Sequence, residues 1–173
     1  LTRVEAGGAY TNTLISVERL RERGFDTALA YGPTQDPDGG IARRLAPLGE
    51  ACFFIPSLRR AASIRHDTAA LLALIRLLRR ERFDQVHTHT SKAGVLGRLA
   101  ARACRTPVVH TPHGHIFYGY FGPLLTRTFV HIERWMAPGT ARIVSLTDAE
   151  TRESLERRIG RPAQYVTIPS GVP

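Results

Sequence analysis

A chain of 173 residues with 43% apolar content can close one ordinary hydrophobic core. It contains no stretch near the roughly 18 consecutive apolar residues that a membrane-spanning helix needs. The 24 Lys and Arg against 15 Asp and Glu give a net charge of +9. Lys92 is the sole lysine, so the excess is arginine, whose planar fork suits phosphate and carboxylate.

Short apolar runs alternate with amphipathic helical stretches. In chain order, a glycine turn at Gly7 and Gly8 leads into a helix over 11–24. Strands are expected at 27–31, 52–56, 83–89, 107–111, 141–146 and 164–169. Helices are expected at 40–49, 67–82, 93–104, 124–137 and 148–160. The helix from Asp67 is the clearest, with Leu71, Leu74, Ile75 and Leu78 at i, i+3, i+4 and i+7 and arginines on the far face. Gly24 and Gly160 read as glycines at helix C-termini, and Asp148 as an N-cap. Strands spaced by helices imply βαβ units, and hence a Rossmann-like, doubly wound, mainly parallel sheet with helices on both faces. Such a sheet needs a strand directly before the first glycine turn. Only Leu1–Val4 stand there, so most of that strand is expected to be missing.

Open parallel sheets bind ligands at the carboxyl ends of their strands. Three segments fall at such positions. In EAGGAYTN, two glycines let the backbone approach a ligand and the helix start offers free N–H groups to an anion, although GxGxxG and the Walker loop are both absent. A tight structural turn explains the pair of glycines equally well. In HTHTSKAG, strand alternation puts His87 and His89 on one face, and Ser91 and Lys92 open the next helix. A lysine there opposes the helix dipole, which a bound phosphate or carboxylate would offset. A solvated loop lysine is the plain alternative.

The third segment, VVHTPHGHIFYGYFGP, ends a strand on His110 and presents His113 and His115 around Pro112 and Gly114. His87 and His110 read as packing and hydrogen-bonding residues, and His113 as functional. No metal site is expected, because the histidines lack HExxH spacing and any neighbouring cysteine or carboxylate. Phe117, Tyr118, Tyr120 and Phe121 ahead of Arg127, Arg134 and Trp135 suit an acceptor cover, a membrane contact or simple core packing. GxSxG is absent, and neither Cys52 nor Cys104 adjoins a histidine, so hydrolase chemistry finds no support. Both cysteines lie in apolar surroundings, as free thiols do in a reducing, cytoplasmic compartment.

The combination GGA-x-x-NTL, HTHTSKAGVLGRLAAR, TPHGH-x-F-x-GYF, IVSLTDAE and VTIPSGV resembles the N-terminal half of family 4 glycosyltransferases, most of all bacterial enzymes of capsule, exopolysaccharide or lipid-linked glycan synthesis. The resemblance implies one half of a GT-B fold, with residues 1–168 the N-terminal domain and 169–173 the start of an interdomain linker. The donor-binding C-terminal domain would then be absent and the piece alone inactive. It implies a retaining transfer from a nucleotide-sugar to a glycan or polyprenyl-linked acceptor, with no metal and no other cofactor. Gly7, Gly8 and His113 would meet the donor, with His113 catalytic. His89, Ser91, Lys92, His115 and Tyr118 would face the acceptor. Peripheral contact with an anionic inner membrane leaflet is also expected. The competing reading is a stand-alone Rossmann-like module that binds anionic ligands without catalysis. Nucleic acid is not expected as a partner, since only the net charge speaks for it.

Overall fold

The computed structural model describes residues 8–33, 39–113 and 122–170. Six strands form where the apolar runs predict them: β1 (Leu29–Tyr31), β2 (Cys52–Phe54), β3 (Val86–His89), β4 (Val108–Thr111), β5 (Arg142–Ser145) and β6 (Tyr165–Thr167). Every pairing is parallel. The strands divide into a pair, β1–β2, and a four-stranded sheet ordered β3-β4-β5-β6. The strand expected at Leu1–Val4 lies outside the described residues.

The helices are α1 (Gly8–Glu22), α2 (Gly40–Leu45), α3 (Ile64–Glu81), α4 (Ser91–Cys104), α5 (Pro123–Met136) and α6 (Asp148–Glu156). The expected stretch 40–49 is only partly α-helical, since Pro47 starts a tighter 3-10 turn over Ala46–Ala51. Tyr10, Leu14 and Val17 of α1 close a core over Leu29 of β1 with Ile41, Leu45 and Leu48. A second cluster joins Leu74 and Leu78 of α3, Leu96, Ala100 and Ala101 of α4, and Val108 of β4.

Helix α4 lies close to the sheet because Gly94 and Gly97 face it. A methyl group at Gly94 would stand 2.5 Å from Cε1 of His110, and one at Gly97 would stand 2.6 Å from Cγ2 of Thr88. The glycine of HTHTSKAG is therefore a packing residue inside a helix and not part of a turn. On the same buried stripe, Arg98 is 2% exposed. Its guanidinium donates to both carboxylate oxygens of Glu133 on α5, at 2.8 and 2.6 Å, and to the Gly94 carbonyl at 3.1 Å. This forked ion pair joins α4 to α5 with its charges compensated inside the protein.

Two expected helix ends are corrected. The N-cap of α6 is Thr147, whose hydroxyl accepts from the Glu150 amide at 3.1 Å, while Asp148 is the first helical residue. Beyond α6, Arg158 (φ 55°) reaches the left-handed region before Gly160 (φ 68°), so the chain already reverses at an arginine.

Candidate functional site

The carboxyl edge of β3 and β4 brings together His87, His89, His110 and His113. β3 passes into α4 through one residue, Thr90, which has φ 61° and ψ 169°. A β-branched side chain is strained in that region, which glycine normally occupies. The Thr90 amide donates to the Thr111 carbonyl of β4 at 3.1 Å, which continues the ladder and holds the bend in place. Its hydroxyl is buried without a hydrogen-bond partner among the described residues and does not cap α4. The first turn of α4 contains no carboxylate. Among the described residues, α4 thus opens at Ser91, two positions after His89, with no side-chain cap and no carboxylate in its first turn.

The histidines then sort by partner. Thr88 donates its hydroxyl proton to the Val109 carbonyl at 3.2 Å, so at 2.9 Å it accepts from Nδ1–H of His110. His110 is 1% exposed and lies against Gly94, a structural ring as expected. His87 Nε2 meets the Thr111 hydroxyl at 2.8 Å. The His87 ring stacks on His89, with 4.2 Å between centroids. His89 is 6% exposed, and its Nδ1 lies 2.7 Å from Nε2 of His113. His113 stands two residues beyond β4, half-buried, with φ 56°.

None of these rings is charged at neutral pH. Burial, reinforced by His87, pushes His113 down to about 4. Burial and the neighbouring rings take His89 lower still, and burial with the Arg98 guanidinium holds His110 well below the usual imidazole value. His87 keeps an edge open to solvent and shifts in the same direction through desolvation. A neutral imidazole accepts through one nitrogen and donates through the other, which is suited to hydroxyl groups and adds no charge.

Lys92 sits differently from the expectation. Its ammonium lies 2.5 Å from Oδ1 of Asp67 on α3 and donates to the Ala61 carbonyl. The penalty against the helix dipole is therefore offset internally, and it no longer argues for a ligand anion. Ser91 opens α4 beside the histidines. On α1, a methyl group at Gly8 would meet nothing within 4 Å among the described residues, so their packing does not demand glycine. Asn12 in the next turn donates to Ser170 at 3.0 Å, which ties the start of α1 to the chain leaving β6. Gly7, His115 and Tyr118 lie outside the described residues.

Sequence reasoning missed Thr90, Asp67 and the Arg98–Glu133 pair. The pair left one trace, a charge on the otherwise small and apolar stripe of GVLGRLAARA.

Comparison with known proteins decides the family. Residues 7–171 match the family described as the Glycosyl transferase 4-like domain. The chain belongs to that family. As a glycosyltransferase-like domain, it is 36% identical over 121 residues to the UDP-Gal:alpha-D-GlcNAc-diphosphoundecaprenol alpha-1,3-galactosyltransferase of Escherichia coli. That alignment covers 69% of this chain and 31% of the Escherichia coli enzyme. Among solved structures, Anabaena HepE in complex with UDP and glucose superposes with a TM-score of 0.71 at 17% identity, over 97% of this chain and 42% of that one. UDP-GlcNAc 2-epimerase from Neisseria meningitidis, bound to UDP-GlcNAc, gives 0.65 at 13% identity, over 92% and 42%. The fold is therefore the α/β half shared by GT-B transferases and such epimerases, and the family match separates the two.

Proposed function

We propose that this chain is the acceptor-side domain of a retaining glycosyltransferase that moves a sugar from a nucleotide-sugar to a glycan or polyprenyl-linked acceptor. The observation that carries this reading is the β3–α4 edge, where uncharged histidines stand beside a helix start that lacks its own anion. Its relatives are about two to three times its length, with 31% and 42% of their chains covered, so the facing domain would supply most of the donor contacts. Loss of a sugar from its nucleoside diphosphate builds positive charge at the anomeric carbon and negative charge on the leaving group. Pre-aimed N–H groups stabilise the latter. His113, neutral, hydrogen-bonds the transferred sugar without repelling the cationic carbon, and Gly8 lets the α1 backbone come close to the diphosphate.

On the acceptor side, Ser91 and the first amides of α4 would take a phosphate or hydroxyl of the acceptor, with Lys92 holding that turn to α3 through Asp67. His115 and Tyr118 would complete this face. Transfer would proceed without a metal, in keeping with ring nitrogens of His87, His89 and His113 that already bond to Thr111 or to each other.

We also place the enzyme in the cytoplasm at the inner membrane surface. Helix α5 supports this with Leu124 80% and Trp135 59% exposed, beside exposed Arg127 and Arg134. Among the described residues no helix is long and apolar enough to cross a membrane.

The test uses the full-length protein with a panel of UDP- and GDP-sugars, a polyprenyl-diphosphate sugar as acceptor, and EDTA in a parallel series. Transfer from one donor, unaffected by EDTA, is the expected result. Saturable binding of nucleotide-sugars with no transfer to any acceptor would favour the non-catalytic module.

A further inference from the structure

His113 lies beyond the end of β4, so the sheet does not set the direction of its ring. Another contact must do so, and the structure shows one. Nε2 of His113 is 2.7 Å from Nδ1 of His89, with the two rings inclined by 29°. His89 is itself fixed: it belongs to β3, is 6% exposed, and stacks on His87, which Thr111 anchors at 2.8 Å. The series Thr111, His87, His89, His113 therefore ties the His113 ring to the carboxyl ends of β3 and β4.

We propose that His89 is a positioning residue which engages Nε2 of His113, so that Nδ1 is the nitrogen His113 presents to substrate. This rests on the role given to His113 above, and it moves His89 from direct acceptor contact to an action through its neighbour. The chemistry is constrained by proton count. Each neutral ring has one N–H, and the bond between them uses one donor and one acceptor. If His89 donates, His113 carries its proton on Nδ1 and offers a donor to the ligand. If His113 donates, its Nδ1 offers a lone pair. In both cases the His89 contact ties the tautomer of His113 to that of the buried His89 ring, where a free ring would exchange independently between two. A substrate hydroxyl meets a defined partner at the moment of reaction, which is how preorganisation contributes to rate.

The test combines ring nitrogen-15 NMR with kinetics on the full-length protein. In the wild type, His113 should show one protonated and one bare ring nitrogen. His89→Phe keeps an aromatic ring against His87 but removes the bond. It should give averaged His113 nitrogen signals and lower kcat 10- to 100-fold, with KM changed less than threefold. His89→Asn places an amide near the Nδ1 position and should recover the single tautomer and most of kcat. Exchange between tautomers in the wild type would overturn the proposal without need of any variant. A single tautomer and undiminished kcat in His89→Phe, or equal losses in Phe and Asn, would overturn it too. The NMR readout does not depend on turnover. A fixed tautomer in a protein that transfers no sugar would instead count against the proposed function.

Discussion

Two strand-to-helix junctions at one edge of one sheet end in opposite ways. At the β5–α6 junction, Thr147 caps the helix, and Glu150 turns back to accept from the Leu146 amide at 2.6 Å. Asp148 adds a further carboxylate and accepts from Thr167 at 2.7 Å. That helix start is chemically closed: its amides and dipole have partners of its own. The β3–α4 junction has the same topology but no cap, a strained Thr90, no acid in its first turn and three uncharged histidine rings. A junction selected only for stability would resemble the first. Retained strain and, among the described residues, a helix start without a cap or an acid at the second suit a site for an incoming anion or hydroxyl.

The contrast is sharpest at His113. Replacing it with Ala should lower kcat at least 100-fold, about 2.7 kcal/mol in the barrier, while circular dichroism shows an intact fold. An unchanged kcat would remove His113 from the chemistry.

Acid should separate the junctions next. A histidine whose folded pKa lies below its unfolded value of about 6.5 leaves the unfolded chain binding more protons once the pH falls below that value. Stability is thus fully present above about pH 6.5 and is lost as the pH falls towards the folded value, about 4 for His113. His113 alone accounts for about 2 kcal/mol between pH 7 and pH 5. Thermal melts across that range should show a falling Tm, and the His113→Ala variant a shallower fall. A flat wild-type profile would mean that the rings take up protons in the folded state at the same pH as in the unfolded chain.

Thr147→Ala sharpens the comparison from the other side. Losing the α6 cap should cost about 1 kcal/mol of stability, visible by urea titration, with kcat unaltered. A marked kcat loss would show that the β5–α6 junction is also part of the working site.

Much of this frame is legible in the sequence, since period-2 apolar runs and period-3.6 stripes are local signals. All six strands and the helical stretches between them appear where those signals point, apart from the Pro47 turn. Period 2 also puts His87 and His89 on one face. What it cannot supply is register: only the pairing of His89 with Thr111 brings His113 onto His89. Lys92 escapes a sequence reading for the same reason, because Asp67 lies 25 positions away and reaches it only through the packing of α3 on α4. Thr90 is invisible for a different reason. Strain belongs to backbone angles, and a threonine between a strand and a helix reads as an ordinary turn or cap residue. At α6 the expected cap falls one residue late, where Thr147 and Asp148 are both good capping residues and only the structure separates them.

The proposed function makes the start of α4 the place where an acceptor group binds, and the most direct measurement of this is acceptor affinity in full-length Ser91→Asp. A carboxylate in the first turn suits the dipole and should hold or raise stability by about 0.5 kcal/mol, so the fold is not put at risk. The acceptor KM should rise at least tenfold, because the new charge closes this junction as Asp148 and Glu150 close the other. An acceptor KM within twofold of wild type, in a protein that still transfers sugar, would contradict the open junction as the acceptor site.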